Sequence, residues 1–167
     1  PIKAELALTD TQLGLLGGTA FALFYTALGI PVGALADRWN RVRIVSIALA
    51  LWSAFTASCA LAGSFMQLFL ARLGVGVGEA GGVAPSYALI ADYFPTERRA
   101  RALAIFAFGI PLGSALGLLF GGLVASAVDW GFAFAAIGVV GLLVAPWLWF
   151  AVRDAARGGL DGGRSAG

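Results

Sequence analysis

Of 167 residues, 60% are hydrophobic and 12% charged, with a mean hydropathy of +0.90. Soluble domains run nearer half apolar and a quarter charged, so a water-soluble globule is excluded, and so large an apolar majority excludes disorder. Histidine is absent and Cys59 is the one cysteine, which leaves no disulfide framework, Cys/His zinc site or histidine-based catalysis, while a net charge of +2 is too sparse for a nucleic-acid surface.

Five apolar stretches follow in chain order, at residues 13–35, 44–62, 65–90, 102–128 and 132–152. Each reaches the roughly 20 residues a helix needs to cross the hydrocarbon core. They are too long and uniform for barrel strands, and lipid requires backbone groups to be satisfied within the segment. An all-α membrane protein with five transmembrane helices is predicted.

The loops between them set an orientation. Residues 37–43 hold Arg38, Arg41 and Arg43, residues 94–101 hold Arg98, Arg99 and Arg101, and the tail adds Arg153, Arg157 and Arg164. The intervening loops 63–64 and 129–131 carry no Lys or Arg, and the N-terminal stretch carries Lys3 alone. The positive-inside rule therefore predicts arginine loops and tail in the cytoplasm, with Pro1 outside. Trp39, Trp130, Trp147 and Trp149 are expected at the interfaces, and Trp52 between helices.

The chain opens on Pro1 and its single methionine is Met66, so a helix preceding these residues is expected. Residues 1–10 then read as an outer connection, with Thr9 or Asp10 capping the next helix. Residues 1–152 form a partial transmembrane bundle. The Gly-, Arg- and Ser-rich residues 153–167 begin a linker on the cytoplasmic side.

The most specific string is Gly33-Ala34-Leu35-Ala36-Asp37-Arg38-Trp39-Asn40-Arg41-Val42-Arg43. It resembles the G-x-L-A-D-R-x-G-R-R signature of major facilitator superfamily transporters, found between their second and third helices. Asn40 replaces the signature's glycine and Val42 interrupts its arginine pair; asparagine tolerates a left-handed turn almost as well. The resemblance implies a cytoplasmic gate motif of Gly33, Asp37, Arg38, Arg41 and Arg43, joined by Asp92 from the next arginine loop. It also implies helices two to six of a twelve-helix fold, within its six-helix N-terminal bundle, the partners being that first helix and a C-terminal six-helix bundle of the same chain.

Arg72 and Glu79 lie inside the third stretch, where charge is costly. Seven residues place them on one face, about 10 Å apart along the axis and astride the midplane. They are the expected proton and substrate pathway. Gly76, Gly78 and Gly81 spell G-x-G-x-x-G there, but no strand precedes them, so close helix packing replaces a nucleotide site. Pro85 should kink the helix at Gly81, below Glu79. Gly109, Gly113, Gly117 and Gly121 form a four-residue stripe read as a packing seam.

The strings Gly78-Glu79-Ala80-Gly81, Ala91-Asp92-Tyr93-Phe94-Pro95-Thr96-Glu97-Arg98-Arg99 and Asp10-Thr11-Gln12-Leu13-Gly14-Leu15-Leu16 resemble the Spinster-type branch of the superfamily. That implies a proton-coupled secondary transporter in a bacterial inner membrane, not an enzyme, using no cofactor or metal. It would move an amphipathic or organic solute, lysolipid- or sphingolipid-like, by alternating access. Phe21, Phe24, Tyr25, Phe106 and Phe108 are candidates for an apolar wall. The alternatives are an organic-anion or hexuronate-type symporter and a non-transporting scaffold.

Overall fold

The computed structural model describes residues 2–36 and 38–156, without the side chains of residues 19–21, 23 and 24. Short helix α1 (Ile2–Glu5) leads to α2 (Asp10–Gly14), which passes through a π-helical turn at Leu15–Thr19 into α3 (Ala20–Ala36). There follow α4 (Arg41–Cys59), α5 (Phe65–Ala80), α6 (Val83–Tyr93), α7 (Thr96–Ala127) and α8 (Trp130–Ala151). The protein is an all-helical membrane bundle, with no strand among the described residues.

Helices α4, α7 and α8 are each continuous and apolar enough to cross a bilayer. The other two expected spans are segmented. In the first, the wide π turn takes up Gly17 and Gly18, where an added Cβ would meet no described neighbour within 4 Å. In the third, the chain breaks between α5 and α6 rather than merely kinking. Gly81 N–H donates to the Gly78 carbonyl at 3.1 Å and Gly82 N–H to the Glu79 carbonyl at 2.9 Å, tightening the last turn of α5. Pro85, third in α6, has no N–H for the Gly81 carbonyl, so the ladder cannot continue.

Local caps set the boundaries. Thr9 Oγ1 accepts from Gln12 N–H at 3.2 Å while Gln12 Oε1 accepts from Thr9 N–H at 2.9 Å, a reciprocal capping box. Asn40 Oδ1 accepts from Arg43 N–H at 2.8 Å, and its φ of −63° is not left-handed. Asparagine therefore stands in the signature turn as the N-cap of α4, correcting the expectation of a left-handed residue. Ser64 and Asp129 cap α5 and α8 in the same way, through Gln67 and Phe132 N–H.

α4 is the centre of the packing, touching α5 on one side and α8 on the other. A Cβ on Gly78 would sit 2.5 Å from the Trp52 nitrogen, one on Gly82 2.7 Å from the Trp52 ring, and one on Gly74 inside the Phe55 ring. On α8, a Cβ on Gly138 would sit 2.5 Å from the Ala57 nitrogen and one on Gly141 would strike Ser53. Close helix approach thus accounts for Gly74, Gly78, Gly81 and Gly82 of the third stretch, and Trp52 packs between helices as expected.

At the end of the bundle away from the arginine loops, Leu8, Leu16, Cys59, Ala62, Leu68, Ala71 and Trp130 form one buried cluster. Trp130 is not an interfacial anchor, as its position at a helix start suggested. It is 8% exposed, and its Nε1–H donates to Glu5 Oε2 at 2.7 Å, tying α1 to α8. The bonded indole can be buried because its polar atom has a partner.

Gly78→Ala or Gly138→Ala in the full-length protein should each lower stability by about 1–3 kcal/mol, the usual cost of overpacking. Gly122→Ala, where an added Cβ would meet no described neighbour within 4 Å, should be neutral or stabilising. Thermal unfolding in detergent checks this. Equal melting of all three variants and the parent would remove the close-approach seams.

Candidate functional site

Two clusters of charge stand out, one within the membrane and one at the arginine-bearing edge. Within the membrane, Arg72 and Glu79 both lie half-buried on α5. They are not within ion-pair distance of each other, as their separation along the axis requires, yet the Arg72 charge is felt at Glu79. Tyr25 of α3 lies within electrostatic reach of Glu79 and of Tyr87 on α6. Tyr87 in turn meets Phe106 of α7 edge-on, with ring centroids 5.4 Å apart.

Tyr25, Glu79 and Tyr87 thus fall on one side of the α5–α6 break, with Phe106 of α7 against Tyr87 and Arg72 further along α5. A carboxyl group there can take up and release a proton, the phenols can donate or accept, and the guanidinium can hold an anion. Among the described residues, no three His, Cys, Asp or Glu side chains are grouped to hold a metal.

Of the expected apolar wall, Phe106 joins this face through Tyr87, whereas Phe108 is 65% exposed. The side chains of Phe21 and Phe24 lie outside the described residues. Tyr87 was not foreseen. It lies beyond the helix break, so helical spacing counted from Glu79 does not bring it to the same side.

At the other cluster, Arg41 at the start of α4 forms an ion pair with Asp92 near the end of α6. Their side chains are 12% and 11% exposed, so the pair is nearly desolvated. Arg43 stacks on Trp149, its guanidinium 5.3 Å from the ring centroid. Arg99 donates to the Ala91 carbonyl at 2.7 Å and closes the end of α6, a role hidden in a run of arginines read for topology. The Tyr93 hydroxyl donates to the Arg153 carbonyl.

Of the remaining gate-motif residues, Gly33 faces α6 with a Cβ position 4.0 Å from that of Ala84, and Arg38 is exposed. Asp37 lies outside the described residues. The stripe of Gly109, Gly113, Gly117 and Gly121 on α7 faces no described atom within 4 Å of any Cβ position. The glycine seams filled by described residues are those of α5 and α8.

A segmented, charge-bearing helix held in an all-helical membrane bundle is the kind of element that secondary-transporter folds place at their binding sites. A family model described as Major Facilitator Superfamily matches residues 1–166, and the chain belongs to that superfamily. It is 39% identical over 146 residues to an MFS-type efflux pump of Mycolicibacterium smegmatis, covering 87% of this chain and 34% of the pump. Against the hexuronate transporter of Bacillus subtilis it is 32% identical, covering 89% of this chain and 35% of that protein. Against human protein spinster homolog 1 it is 37% identical, covering 91% and 29%.

Among solved structures it is similar to a bacterial homologue of the human lysosomal transporter Spinster in its inward-facing, unoccupied conformation. The TM-score is 0.82 at 38% identity, covering 95% of this chain and 38% of that one. The occupied, inward-facing form gives a TM-score of 0.83. The chain spans about a third of the length of these relatives.

Removing one member of a buried pair leaves the other charge desolvated. Asp92→Ala in the full-length protein should therefore cost about 3 kcal/mol, and Arg41→Met with Asp92→Leu should recover most of it. Unfolding in graded denaturant measures both. A double variant no more stable than Asp92→Ala would show that the pair is not an isolated unit.

Proposed function

We propose that the full-length protein is a proton-coupled secondary transporter, moving an amphipathic or organic solute by alternating access. The observation that carries this reading is the half-buried Glu79, with Arg72 on the same face, two residues before a break in an intramembrane helix. Discontinuous helices near the midplane are where such folds bind substrate and coupling ion. Glu79 carries the proton and Arg72 modulates it, their coupling changing as the helix segments move.

An amphipathic substrate of lysolipid or sphingolipid kind follows from the resemblance to the Spinster-type branch, to members of which the chain is similar. The hexuronate transporter favours a second reading, in which Arg72 holds the carboxylate of an organic anion. The lipid bilayer is the solvent. Residues 1–152 belong to an N-terminal bundle completed by a first helix and faced by a C-terminal six-helix bundle, with residues 153–167 starting the linker between them. In this assembly the α7 glycine stripe packs on a helix outside the described residues.

The gate motif, with Arg41 and Asp92 at its core, closes the cytoplasmic side and holds the outward-facing state. A bacterial inner membrane, with the arginine loops inside, follows from the charge pattern. A cysteine introduced at Arg38 in a Cys59→Ser protein should react with impermeant reagents only from the cytoplasmic side, and one at Gly63 only from the opposite side. The reverse pattern would invert the orientation.

The central test is transport by full-length protein in liposomes, with and without an imposed pH gradient. Uptake by the parent should follow the gradient, and uptake by Glu79→Gln should not. Gradient-dependent uptake that survives the substitution would place the coupling site elsewhere.

A further inference from the structure

We propose that the elbow between α6 and α7 holds an anionic phospholipid of the cytoplasmic leaflet, in a crevice that meets the candidate transport face at Phe106 and carries its own pair of cations. A crevice of about 790 Å³ opens there, lined by Ile90 and Phe94 of the α6 end and by Arg98, Arg101, Ile105 and Phe106 of α7. Arg98 and Arg101 are three residues apart on the first turns of one helix, so they share a face. Both are exposed, and neither guanidinium is hydrogen-bonded or ion-paired among the described residues.

No nearby acid is ion-paired to them among the described residues. Asp92 is paired with Arg41, and Glu97, which accepts from Thr96 Oγ1 at 3.3 Å, forms no ion pair with a described residue. Arg99, between them in sequence, is turned away to cap α6. The run of arginines is thus divided, one holding the fold and two facing an open crevice.

The order of groups along α7 selects the occupant. Ile105 and Phe106 lie about 10 Å deeper along the axis than Arg98, so two cations stand at headgroup level above an apolar wall. Phe94 is 41% and Ile105 66% exposed. A free anion would use only the guanidinium end, whereas an anionic lipid fits both, its phosphate on the arginines and its chains on Ile105 and Phe106. Assignment to the cytoplasmic leaflet rests on the orientation proposed above. Lipid retention in detergent does not, so the two readings fail separately.

The experiment is native mass spectrometry of the full-length protein in mild detergent, titrated with phosphatidylglycerol and with phosphatidylcholine of the same chains. The parent should retain phosphatidylglycerol preferentially, less so in high salt. Arg98→Ala with Arg101→Ala should weaken that retention by about 30-fold, the worth of two basic residues at an anionic surface. Arg98→Lys with Arg101→Lys should keep most of it. Unchanged phosphatidylglycerol retention in the alanine variant would overturn the proposal. A second measurement leaves both arginines in place: a cysteine at Ile105 in a Cys59→Ser protein should react with a membrane-dissolved maleimide. Protection of that cysteine would overturn the proposal too, showing that another segment of the chain covers the crevice.

Discussion

The closeness with which α5 and α8 approach α4 governs the rest of the bundle. Between helices in lipid there is no hydrophobic force to exploit, because acyl chains are as apolar as leucine, so association rests on contact and therefore on small residues. Gly74 and Gly78 bring α5 against Phe55 and Trp52, Gly82 brings the start of α6 against the Trp52 ring, and Gly138 and Gly141 bring α8 against Ala57 and Ser53. This contact also sets the rotation of α5. Taking about 100° per residue, Arg72 and Glu79 fall within about 20° of one another and about a third of a turn or a little more from Gly74 and Gly78. Seating the seam on α4 turns both charges to a common side, where Tyr25 of α3 comes within reach of Glu79. The polar face is a consequence of the apolar packing.

The break after Glu79 acquires meaning from what holds its two sides. α5 is clamped by its glycine seam, while α6 is fixed at its far end by Asp92 on Arg41 and by Arg99 on the Ala91 carbonyl. Between these anchors the tight turn at Gly81–Gly82 has lost the helical ladder, so it is the place where the two segments can change angle with the fewest hydrogen bonds disturbed. The similarity to the Spinster homologue is nearly the same for its unoccupied and occupied forms, with TM-scores of 0.82 and 0.83. At the level of the whole segment, the two inward-facing forms are not distinguished by this part of the fold.

Spans, order and the family were legible in the sequence because they depend on composition and on one short string. Length and hydropathy identify membrane helices, and Gly33 to Arg43 carry the signature. Continuity was less legible: Pro85 announced a kink, but a full break also needed the two glycines before it to close a tight turn. Trp130 reads as an interfacial anchor until Glu5, 125 residues away in the chain, supplies its hydrogen-bond partner. Spacing identified both the α5 glycines and the α7 stripe as seams, yet described neighbours fill only the former. A glycine pattern records that a helix can be approached closely, and not which helix approaches it.

The arginines show the same limit from the charged side. The positive-inside rule counts Arg41, Arg43, Arg98, Arg99 and Arg101 alike, because only their number near the membrane edge enters it. In the fold they do different work. Arg41 is nearly desolvated against Asp92, Arg43 lies over the Trp149 ring, and Arg99 satisfies a backbone carbonyl at a helix end. A guanidinium can serve in all three settings because it is planar, weakly hydrated and always charged, whereas a lysine would meet only the requirement of sign. The two arginine loops and the tail together contain nine arginines and no lysine, which a rule concerned with charge alone does not require. The choice of arginine over lysine therefore carries structural information that the orientation signal leaves out.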